Sequence, residues 1–391
     1  MKKNINRVTV ALFLMLIFGF AAAFFLVPDK SFSKEENRSL RTLPQFDWYK
    51  LANGRYSDEI NDYFADQFPV RDLFVGVKGI SEIALGKGEN NGVLLGENGQ
   101  LATRLFDVKT GEGDTVSDFD GFDPEHIRFG VNGINRAAKN SAVPFHVLLT
   151  GRTVDVTASS FVYPDAFSQS LWDTVNGCLD ASVSRVETVD LLREKHENGE
   201  YVYYKTDHHW TTRGAYYAYV EVMRSFGMES EILPESAFKL QTVSEDFYGT
   251  AWSAGGMKFV APDSVEFWLL GNESEFSVVA DGYELSGLYN LDYLTKKDKY
   301  SAFLDGTHDV VTVTKQDGSE RPTLLLLKDS FANALAPFLA QHFDLVLLNL
   351  SSTRADFSNV GAQVEAYGAD RVLLVYTIEN AVCDTKLKKL R

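Results

Sequence analysis

A carboxylate and an imidazole lie two residues apart in the stretch K-T-D-H-H-W-T-T-R-G-A-Y-Y-A-Y, at residues 205–219. Asp207 and His209 are the residue types that form half of a hydrolase triad, in which a carboxylate orients a histidine that acts as general base. Ser330 follows the apolar run T-L-L-L-L-K-D and is the candidate nucleophile. The three residues together predict a serine activated by a carboxylate-oriented imidazole.

The neighbouring imidazole, His208, is expected to have a different role. Successive side chains alternate in direction along an extended loop, so Asp207 and His209 would share one side while His208 and Trp210 take the other. We therefore expect His208 to be structural or to contact substrate. The adjacent carboxylate and imidazoles could also bind a metal, but the sequence offers no further ligands at suitable spacing. We predict no metal and no cofactor.

The elements that would position these residues alternate between helical and apolar strand patterns from residue 124 onward. Thr211 or Thr212 is suited to cap a helix that stops at Gly227, so the Asp-His pair would lie on the loop entering that helix. Further helices are predicted at residues 128–142, 331–341 and 359–367, and apolar strands at 143–150, 323–327, 343–350 and 371–377. This alternation is typical of an α/β fold with a parallel sheet covered by helices on both faces.

Ser330 is expected beyond the carboxyl end of a strand, which is where open α/β sheets place their chemistry. The unpaired N–H groups in the first turn of the following helix would face the serine and could hold an oxyanion. Asn333 could add an amide donor or cap that turn. Arg152 and Arg354 also follow strands, and each could clamp a substrate group, although surface salt bridges are the more ordinary role for such residues.

Aromatic side chains surround the motif. Tyr203, Tyr204 and Trp210 are suited to stacking on sugar rings, and they are equally suited to burial in a core. The sequence alone leaves both readings open.

The amino terminus predicts export. Basic residues precede an uncharged apolar run at residues 8–27, which Pro28 and Asp29 end. Roughly 20 apolar residues span a bilayer, whereas a signal-peptide core has about 7–15. We therefore expect residues 1–28 to form a single-pass anchor in the cell membrane, with the remaining chain outside the cytoplasm. Small residues at positions 21–23 keep a cleaved signal and a secreted protein as the alternative.

Composition excludes some partners. The formal net charge of −16 disfavours nucleic acid and anionic membrane surfaces, both of which attract basic patches. Cys178 and Cys383 are the only cysteines, and their spacing fits no zinc or redox motif. One disulfide or two buried thiols are the two options.

Three regions are expected along the chain. They are the segment 1–28, an N-terminal extension at 29–123 packing on the core, and an α/β domain at 124–391 with a β-containing insertion at about 235–320. A helix near residues 56–68 and a tight turn at 97–99 between two short strands are predicted within the extension. The acidic stretch 111–123 lacks the EF-hand ligand spacing and is expected to be a solvated loop.

The block at residues 205–219 resembles the name-giving motif of the DHHW protein family. The likeness extends over most of the exported chain through E-N-R-S-L-R-T-L-P-Q-F, Y-G-T-A-W-S-A-G-G, K-Y-S-A-F-L-D-G-T-H and K-D-S-F-A-N-A-L-A-P-F-L-A-Q-H-F. The chain is also similar to the SGNH-hydrolase-like AlgX/AlgJ group, which O-acetylates alginate outside the cell. That resemblance implies a flavodoxin-like α/β fold, with Asp207 and His209 preceding the nucleophile Ser330.

The resemblance further implies acyl transfer to or from an exopolysaccharide or cell-wall glycan. The acetyl donor would be supplied by a membrane acyltransferase, without a cofactor. Water as acceptor would make the protein an esterase, and a sugar hydroxyl would make it an O-acetyltransferase. A catalytically silent glycan-binding or scaffold protein is the alternative of a different class. The K-D-S context departs from the G-D-S of SGNH enzymes, and Gly306, Asn333 and Asn380 are loose candidates for their oxyanion donors.

Overall fold

The computed structural model describes residues 2–36, 38–104, 124–162, 168–352, 354–383 and 386–391. The acidic stretch 111–123 lies outside the described residues. The chain divides into two compact units. The first comprises Met1–Asn90 with Ser253–Phe259, and the second comprises Asn91–Trp252 with Val260–Arg391.

The first unit is mainly helical. Helix α1 (Lys2–Leu26) contains the apolar stretch Arg7–Leu26, whose mean hydropathy of 2.6 and length would allow it to cross a membrane or to serve as a signal sequence. The elements that follow are the antiparallel pair β1 (Phe32–Ser33) and β2 (Arg38–Ser39), then α2 (Trp48–Ala52), α3 (Arg55–Asp66), α4 (Arg71–Ala84) and β3 (Glu89–Asn90). The helix predicted near residues 56–68 is confirmed as α3.

The second unit contains the remaining elements, except that the last three residues of helix α10 (Thr250–Gly255) belong to the first unit. Strands β4 (Val93–Leu95) and β5 (Leu101–Thr103) form the predicted antiparallel pair around the turn at residues 97–99. The others, in chain order, are α5 (Pro124–Asn140), β6 (Phe145–Thr150), α6 (Thr153–Val156), α7 (Ser168–Cys178), β7 (Ser184–Arg185), α8 (Val189–Glu197), α9 (Thr212–Ser225), β8 (Lys239–Phe247), α10 (Thr250–Gly255), β9 (Asp263–Leu269), β10 (Phe276–Ala280), β11 (Tyr283–Glu284), β12 (Val310–Lys315), β13 (Thr323–Lys328), α11 (Ala332–Leu339), β14 (Asp344–Asn349), α12 (Val360–Tyr367), β15 (Arg371–Thr377) and α13 (Ile378–Cys383).

A central sheet of eight strands, in the order β11-β10-β12-β14-β13-β15-β6-β7, organises this unit. The strands β14, β13, β15, β6 and β7 are parallel. Their apolar side chains alternate between two cores: Leu324 and Leu326 of β13 point to the face that carries α9 and α11, whereas Leu325 and Leu327 point to the face that carries α5 and α12. The predicted α/β fold with helices on both faces is confirmed.

The sheet differs from the prediction at one edge. Strands β12, β10 and β11 extend it antiparallel, and they come from the segment predicted to be an insertion. Their apolar residues alternate with polar ones, as in V-V-T-V-T-K, which is why they did not resemble the continuous apolar runs of the parallel strands. The predicted insertion therefore completes the central sheet.

Strand β13 lies at the point where the chain reverses its direction across the sheet. From β13 the chain passes through α11 to β14 on one side, and then through α12 to β15 on the other side of β13. Open α/β sheets bind ligands at such a switch point, beyond the carboxyl ends of the strands. Ser330 lies two residues after the end of β13.

Candidate active site

A short hairpin carries the Asp-His pair. Tyr203 and Trp210 pair across it, and the backbone N–H of Tyr204 donates to the carbonyl of His209 at 3.1 Å. Beyond the hairpin, the Thr211 hydroxyl accepts from a backbone N–H in the first turn of α9, which confirms the predicted cap. The hairpin is held rigidly because Tyr203 and Trp210 are buried in the core.

The three predicted catalytic residues lie in a continuous hydrogen-bonded row. The Asp207 Oδ1 atom is 2.5 Å from His209 Nδ1, and His209 Nε2 is 2.7 Å from Ser330 Oγ. Asp207 and His209 are buried, whereas Ser330 remains partly exposed. This is the arrangement in which a carboxylate holds the imidazole tautomer that can accept the serine proton.

The carboxylate of Asp207 is fully engaged on its other side. Its Oδ2 accepts from the Thr250 N–H at 2.9 Å and from the Thr250 hydroxyl at 3.1 Å. Burial alone would raise the pKa of Asp207, but the adjacent imidazoles and these hydrogen bonds hold it below its usual range. Gly249 makes the approach possible, because a Cβ there would overlap the Asp207 side chain. Asp207 is therefore ionised, and both of its carboxylate oxygens are hydrogen-bonded.

His208 lies closer to His209 than expected. The two rings are 3.9 Å apart, and His208 Nδ1 is 2.7 Å from the Thr250 hydroxyl. The expectation that adjacent histidines point apart is wrong, because residues 205–209 form a series of bends rather than an extended strand. His208 makes no described contact with Ser330, and its half-exposed side chain lies beside the row.

A tyrosine that the sequence analysis did not select covers the imidazole. The Tyr300 ring stacks on the His209 ring with centroids 3.7 Å apart and planes 10° from parallel. Its hydroxyl donates to the carbonyl of Ser330 at 3.1 Å. Burial raises the pKa of Tyr300 well above its ordinary value, so the hydroxyl stays a donor. The electron-rich ring face is suited to stabilise a protonated imidazole.

The turn that carries Ser330 is braced by Asp329. One Asp329 carboxylate oxygen accepts from the Phe331 N–H at 3.0 Å, and the other accepts from the Thr377 N–H at 2.7 Å. The amide of Asn380 also donates to Asp329, at 2.9 Å. Within the described part of the chain, the Ser330 N–H donates to no acceptor. That N–H is therefore available to a substrate oxygen, whereas Asn380 already holds the turn.

Asn333 is a buried bridge. Its Oδ1 accepts from Lys328 Nζ at 2.6 Å, and its Nδ2 donates to the Gly306 carbonyl at 2.9 Å. Lys328 is buried at the end of β13, and burial lowers its pKa to about 8. The structure thus places Asn333 and Gly306 together behind the Ser330 turn, where the amide is engaged with the protein itself.

The buried carboxylate of Asp263 fixes the backbone of the hairpin just before Asp207. Asp263 accepts from the backbone N–H groups of Lys205 and Thr206 at 2.9 and 2.7 Å, and from the Tyr201 hydroxyl. Burial raises the pKa of Asp263. The motif residues just before Asp207 are thereby tied to β9.

The two candidate arginines lie in other surroundings. Arg152 is buried and forms a two-point pair with Asp155, at 3.1 and 2.8 Å, so the expectation of a surface position is wrong for it. The cause is α6, whose first turn brings Asp155 back over the arginine. Arg354 is largely exposed and pairs with Asp309 at 3.1 Å, as expected of a surface ion pair.

The aromatic residues of the motif are core residues. Tyr203, Tyr204 and Trp210 are each at most 1% exposed. The Trp210 indole N–H donates to the Phe331 carbonyl at 3.2 Å, which joins the hairpin to the serine turn. These three residues position the site, and none offers an open ring face for a sugar.

Three side chains near the row could in principle hold a metal. Asp207, His208 and His209 bring ligand atoms within 4.8 Å of one another. His209 nevertheless uses both ring nitrogens, for Asp207 and Ser330, and Asp207 uses both oxygens. A metal would have to displace those contacts, so the arrangement fits the serine row better than a metal centre.

Residue types alone did not reveal Tyr300, Thr250 or Asp329. All three lie within the stretches that resemble the DHHW family, namely K-Y-S, Y-G-T and K-D-S. Their position within those stretches is the sequence signal that could have identified them. The free thiol of Cys178 lies on α7, and the side chain of Cys383 is outside the described residues.

Comparisons with known proteins agree with this architecture. The family model described as DHHW protein matches residues 175–349, which confirms the resemblance. No curated protein sequence matches the chain. A DHHW family protein from Eubacterium siraeum is similar in structure, with a TM-score of 0.55 at 18% identity over 76% of this chain and 97% of that one.

Two structures of Bacillus cereus PatB1 are also similar. One, which carries a sulfonyl adduct, has a TM-score of 0.59 at 17% identity over 76% of this chain and 100% of that one. The other has a TM-score of 0.59 at 18% identity over 76% and 99%. The O-acetyltransferase domain of Pseudomonas putida AlgJ aligns with a TM-score of 0.43 at 12% identity over 75% and 93%. At these identities, PatB1 and the Eubacterium protein establish the fold alone.

Proposed function

We propose, starting from the DHHW family match over residues 175–349, that this chain is a serine-dependent acyltransferase acting outside the cytoplasm. Its most direct activity would be O-acetylation of an exopolysaccharide or a cell-wall glycan through an acyl-Ser330 intermediate. The observation that carries the proposal is the row from Asp207 through His209 to Ser330, with separations of 2.5 and 2.7 Å.

The first half-reaction forms the acyl-enzyme. His209 Nε2 takes the proton of Ser330 Oγ while that oxygen bonds to the carbonyl carbon of an acetyl donor. The resulting oxyanion accepts a hydrogen bond from the free Ser330 N–H. The tetrahedral species then collapses, the bond to the donor oxygen breaks, and His209 returns the proton to that leaving oxygen.

The second half-reaction reverses the roles. A glycan hydroxyl gives its proton to His209 Nε2 and bonds to the acyl carbon, after which Ser330 Oγ leaves and recovers the proton. Asp207 stabilises the imidazolium in both halves, and Tyr300 covers its ring face. Water in place of the hydroxyl would give acetate and make the protein an esterase.

The partners follow from the same proposal. Helix α1 would anchor the protein with its second unit outside the cytoplasm, or would be removed as a signal to release it. The acetyl donor would come from a membrane acyltransferase beside this anchor, and the acceptor would be a glycan. Fusion of a reporter that is active only outside the cytoplasm, placed after the last residue, tests the orientation: an inactive reporter would contradict it.

The nucleophile is tested with a chromogenic acetyl ester. Ser330→Ala should lower kcat/KM by roughly a thousandfold or more, because the row acts as a unit. Ser319→Ala, an exposed serine outside the site, serves as the control and should retain the wild-type rate. A sulfonyl fluoride should inactivate the wild type and mark Ser330 in a peptide map. Equal rates in wild type and Ser330→Ala would overturn the proposal.

The acceptor is tested with glycan oligosaccharides and the same ester as donor. Mass spectrometry should show oligosaccharides that have gained acetyl groups in the presence of wild type and not of Ser330→Ala. Release of acetate alone would identify an esterase. Glycan binding without acyl chemistry in either protein would identify a binding or scaffold protein.

A further inference from the structure

Helix α4 presents an apolar stripe to solvent. Leu73, Val77 and Ile80 are 63%, 50% and 53% exposed, and Phe74 is 45% exposed. The stripe continues through the residues that precede the helix, of which Val70 is 59% exposed. An exposed apolar patch of this extent marks a surface that contacts another protein or a membrane.

A different side of α4 makes the close backbone contact of this helix with residues 253–259 of the same unit. Gly79 faces the carbonyl of Gly256, where a Cβ would lie only 2.7 Å from the oxygen, and Gly76 faces the side chain of Lys258. Two glycines thus form a close internal contact on one side of the helix. This glycine contact does not use the apolar side chains of the stripe.

Aromatic contacts join the stripe to helix α1. The Phe20 ring lies 5.3 Å from Phe68 and 5.7 Å from Phe74, and the Phe24 ring lies 5.0 Å from Phe64. Phe20 and Phe24 belong to the stretch Arg7–Leu26 that is long enough to cross a membrane. The stripe is thus continuous with the surface that would face lipid.

The depth of these contacts can be estimated from helix geometry. At 1.5 Å per residue, Phe20 lies about 9 Å below the end of the span at Leu26. Amphipathic helices that lie in a membrane interface bury their apolar face by about 5–10 Å. The two depths agree.

We propose that α3 and α4 lie in the membrane interface on the side away from the cytoplasm, with the stripe of Val70, Leu73, Phe74, Val77 and Ile80 inserted among the lipid chains next to α1. The occupant of this face is the bilayer itself. The proposal rests on α1 spanning the membrane and is independent of acyl transfer at Ser330. The proposal places α3 and α4 of the first unit at the lipid surface.

The test uses the full chain with Cys178→Ser and Cys383→Ser, so that a single new cysteine carries an environment-sensitive dye. Val77→Cys probes the stripe. Asp62→Cys is the matched control, because this exposed residue of α3 lies on the side away from Phe64. Both proteins are reconstituted in phosphatidylcholine vesicles that contain a nitroxide quencher at a shallow or a deep position of the acyl chain.

The dye at position 77 should have blue-shifted emission and should be quenched more strongly by the shallow nitroxide, while the dye at position 62 should resemble a water-exposed probe. Equal, water-like emission at both positions would overturn the proposal. Blue-shifted emission at position 77 without lipid quenching, rising with the protein-to-lipid ratio, would also overturn it, because a second copy of the chain would then cover the stripe.

Discussion

At the scale of the residue, His209 is held by polar partners at its edge and by an aromatic ring at its face. Asp207 and Ser330 occupy its two nitrogens, and Tyr300 stacks on it at 3.7 Å. The edge contacts select the tautomer, whereas the stack restricts rotation of the ring and presents an electron-rich face to the imidazole. Two separable effects therefore act on one base.

These effects are distinguished by two substitutions of Tyr300. Tyr300→Phe keeps the stacked ring and loses the hydrogen bond to Ser330, whereas Tyr300→Leu loses both. We expect kcat/KM of Tyr300→Leu to be lower than that of Tyr300→Phe by roughly tenfold, which is the size of a partly desolvated cation–π contact. The measurement is ester hydrolysis, with KM and kcat determined separately, and the loss should appear in kcat.

Circular dichroism and the denaturation midpoint control for folding in both variants. If Tyr300→Phe loses as much kcat as Tyr300→Leu, the hydrogen bond and not the stack carries the effect. The stack would then have no catalytic part.

The row of Asp207, His209 and Ser330 was predictable because each residue stands in a local sequence pattern. A carboxylate two residues from an imidazole, and a serine after an apolar strand, have recognisable spacing. Tyr300 and Thr250 were missed because their roles depend on where distant loops lie against the hairpin, and a tyrosine or threonine in a loop has no distinctive residue type. His208 was misplaced because the bends at residues 205–209 remove the alternation of an extended chain.

At the scale of the element, the loop between β8 and α10 packs against the Asp207 carboxylate on the side away from His209. Gly249 lets that loop approach Asp207, and Thr250 then donates twice to it. Gly249→Ala should displace Asp207 or the loop and lower kcat/KM by roughly a hundredfold, since misplacement of about 1 Å has an effect of this size.

Gly177→Ala is the control for this substitution, because a Cβ there meets open space. It should leave the rate unchanged. Wild-type kinetics in Gly249→Ala would mean that the contact with Asp207 is not needed for orientation.

A second feature at the scale of the element is the amine of Lys328, which is buried at the end of β13. Burial lowers the pKa of this amine in the folded protein to about 8, from its ordinary value of 10.5. Between these values the unfolded chain binds more protons than the folded one, so stability rises as pH increases through that window. The contribution is about 2 kcal/mol between pH 8 and 9.5.

Lys328→Met should abolish this rise, measured as the free energy of unfolding in urea at pH 8 and 9.5. Lys239→Met, which removes an exposed lysine of β8, should keep it. An unchanged pH dependence in Lys328→Met would show that the amine keeps its proton in the folded state.

The parallel strands were predictable because strands that are buried on both faces consist of nearly continuous apolar residues, as β13, β14 and β15 do. The antiparallel strands were not, because β12 is half polar and β11 has two residues. Their place in the sheet is decided by pairing with β14, a contact between segments that no local pattern encodes.

At the scale of the whole molecule, two histidines hold α9 against neighbouring elements. His146 of β6 lies 2.7 Å from the Ser225 hydroxyl, and His342 after α11 lies 2.8 Å from the Tyr219 hydroxyl. Burial lowers the pKa of each to about 4. The unfolded chain therefore binds more protons between pH 4 and 6.5, and stability falls as pH decreases through this range.

For His146, which is 5% exposed, the loss is about 2 kcal/mol between pH 6.5 and 5. His146→Gln cannot titrate, so its unfolding free energy should decline less over this interval than that of the wild type. The difference at pH 7 reports packing alone and serves as the internal reference. Parallel curves for the two proteins would contradict the assignment.

The row of Asp207, His209 and Ser330 also has a consequence for the order in which the molecule matures. Ser330 lies 121 positions after His209 in the chain, and its turn is braced by Thr377 of β15. A ribosome therefore synthesises the hairpin well before Ser330, and Ser330 well before Thr377. Because pairings between distant segments form late in folding, we expect the complete row to form only after β15 has joined the sheet.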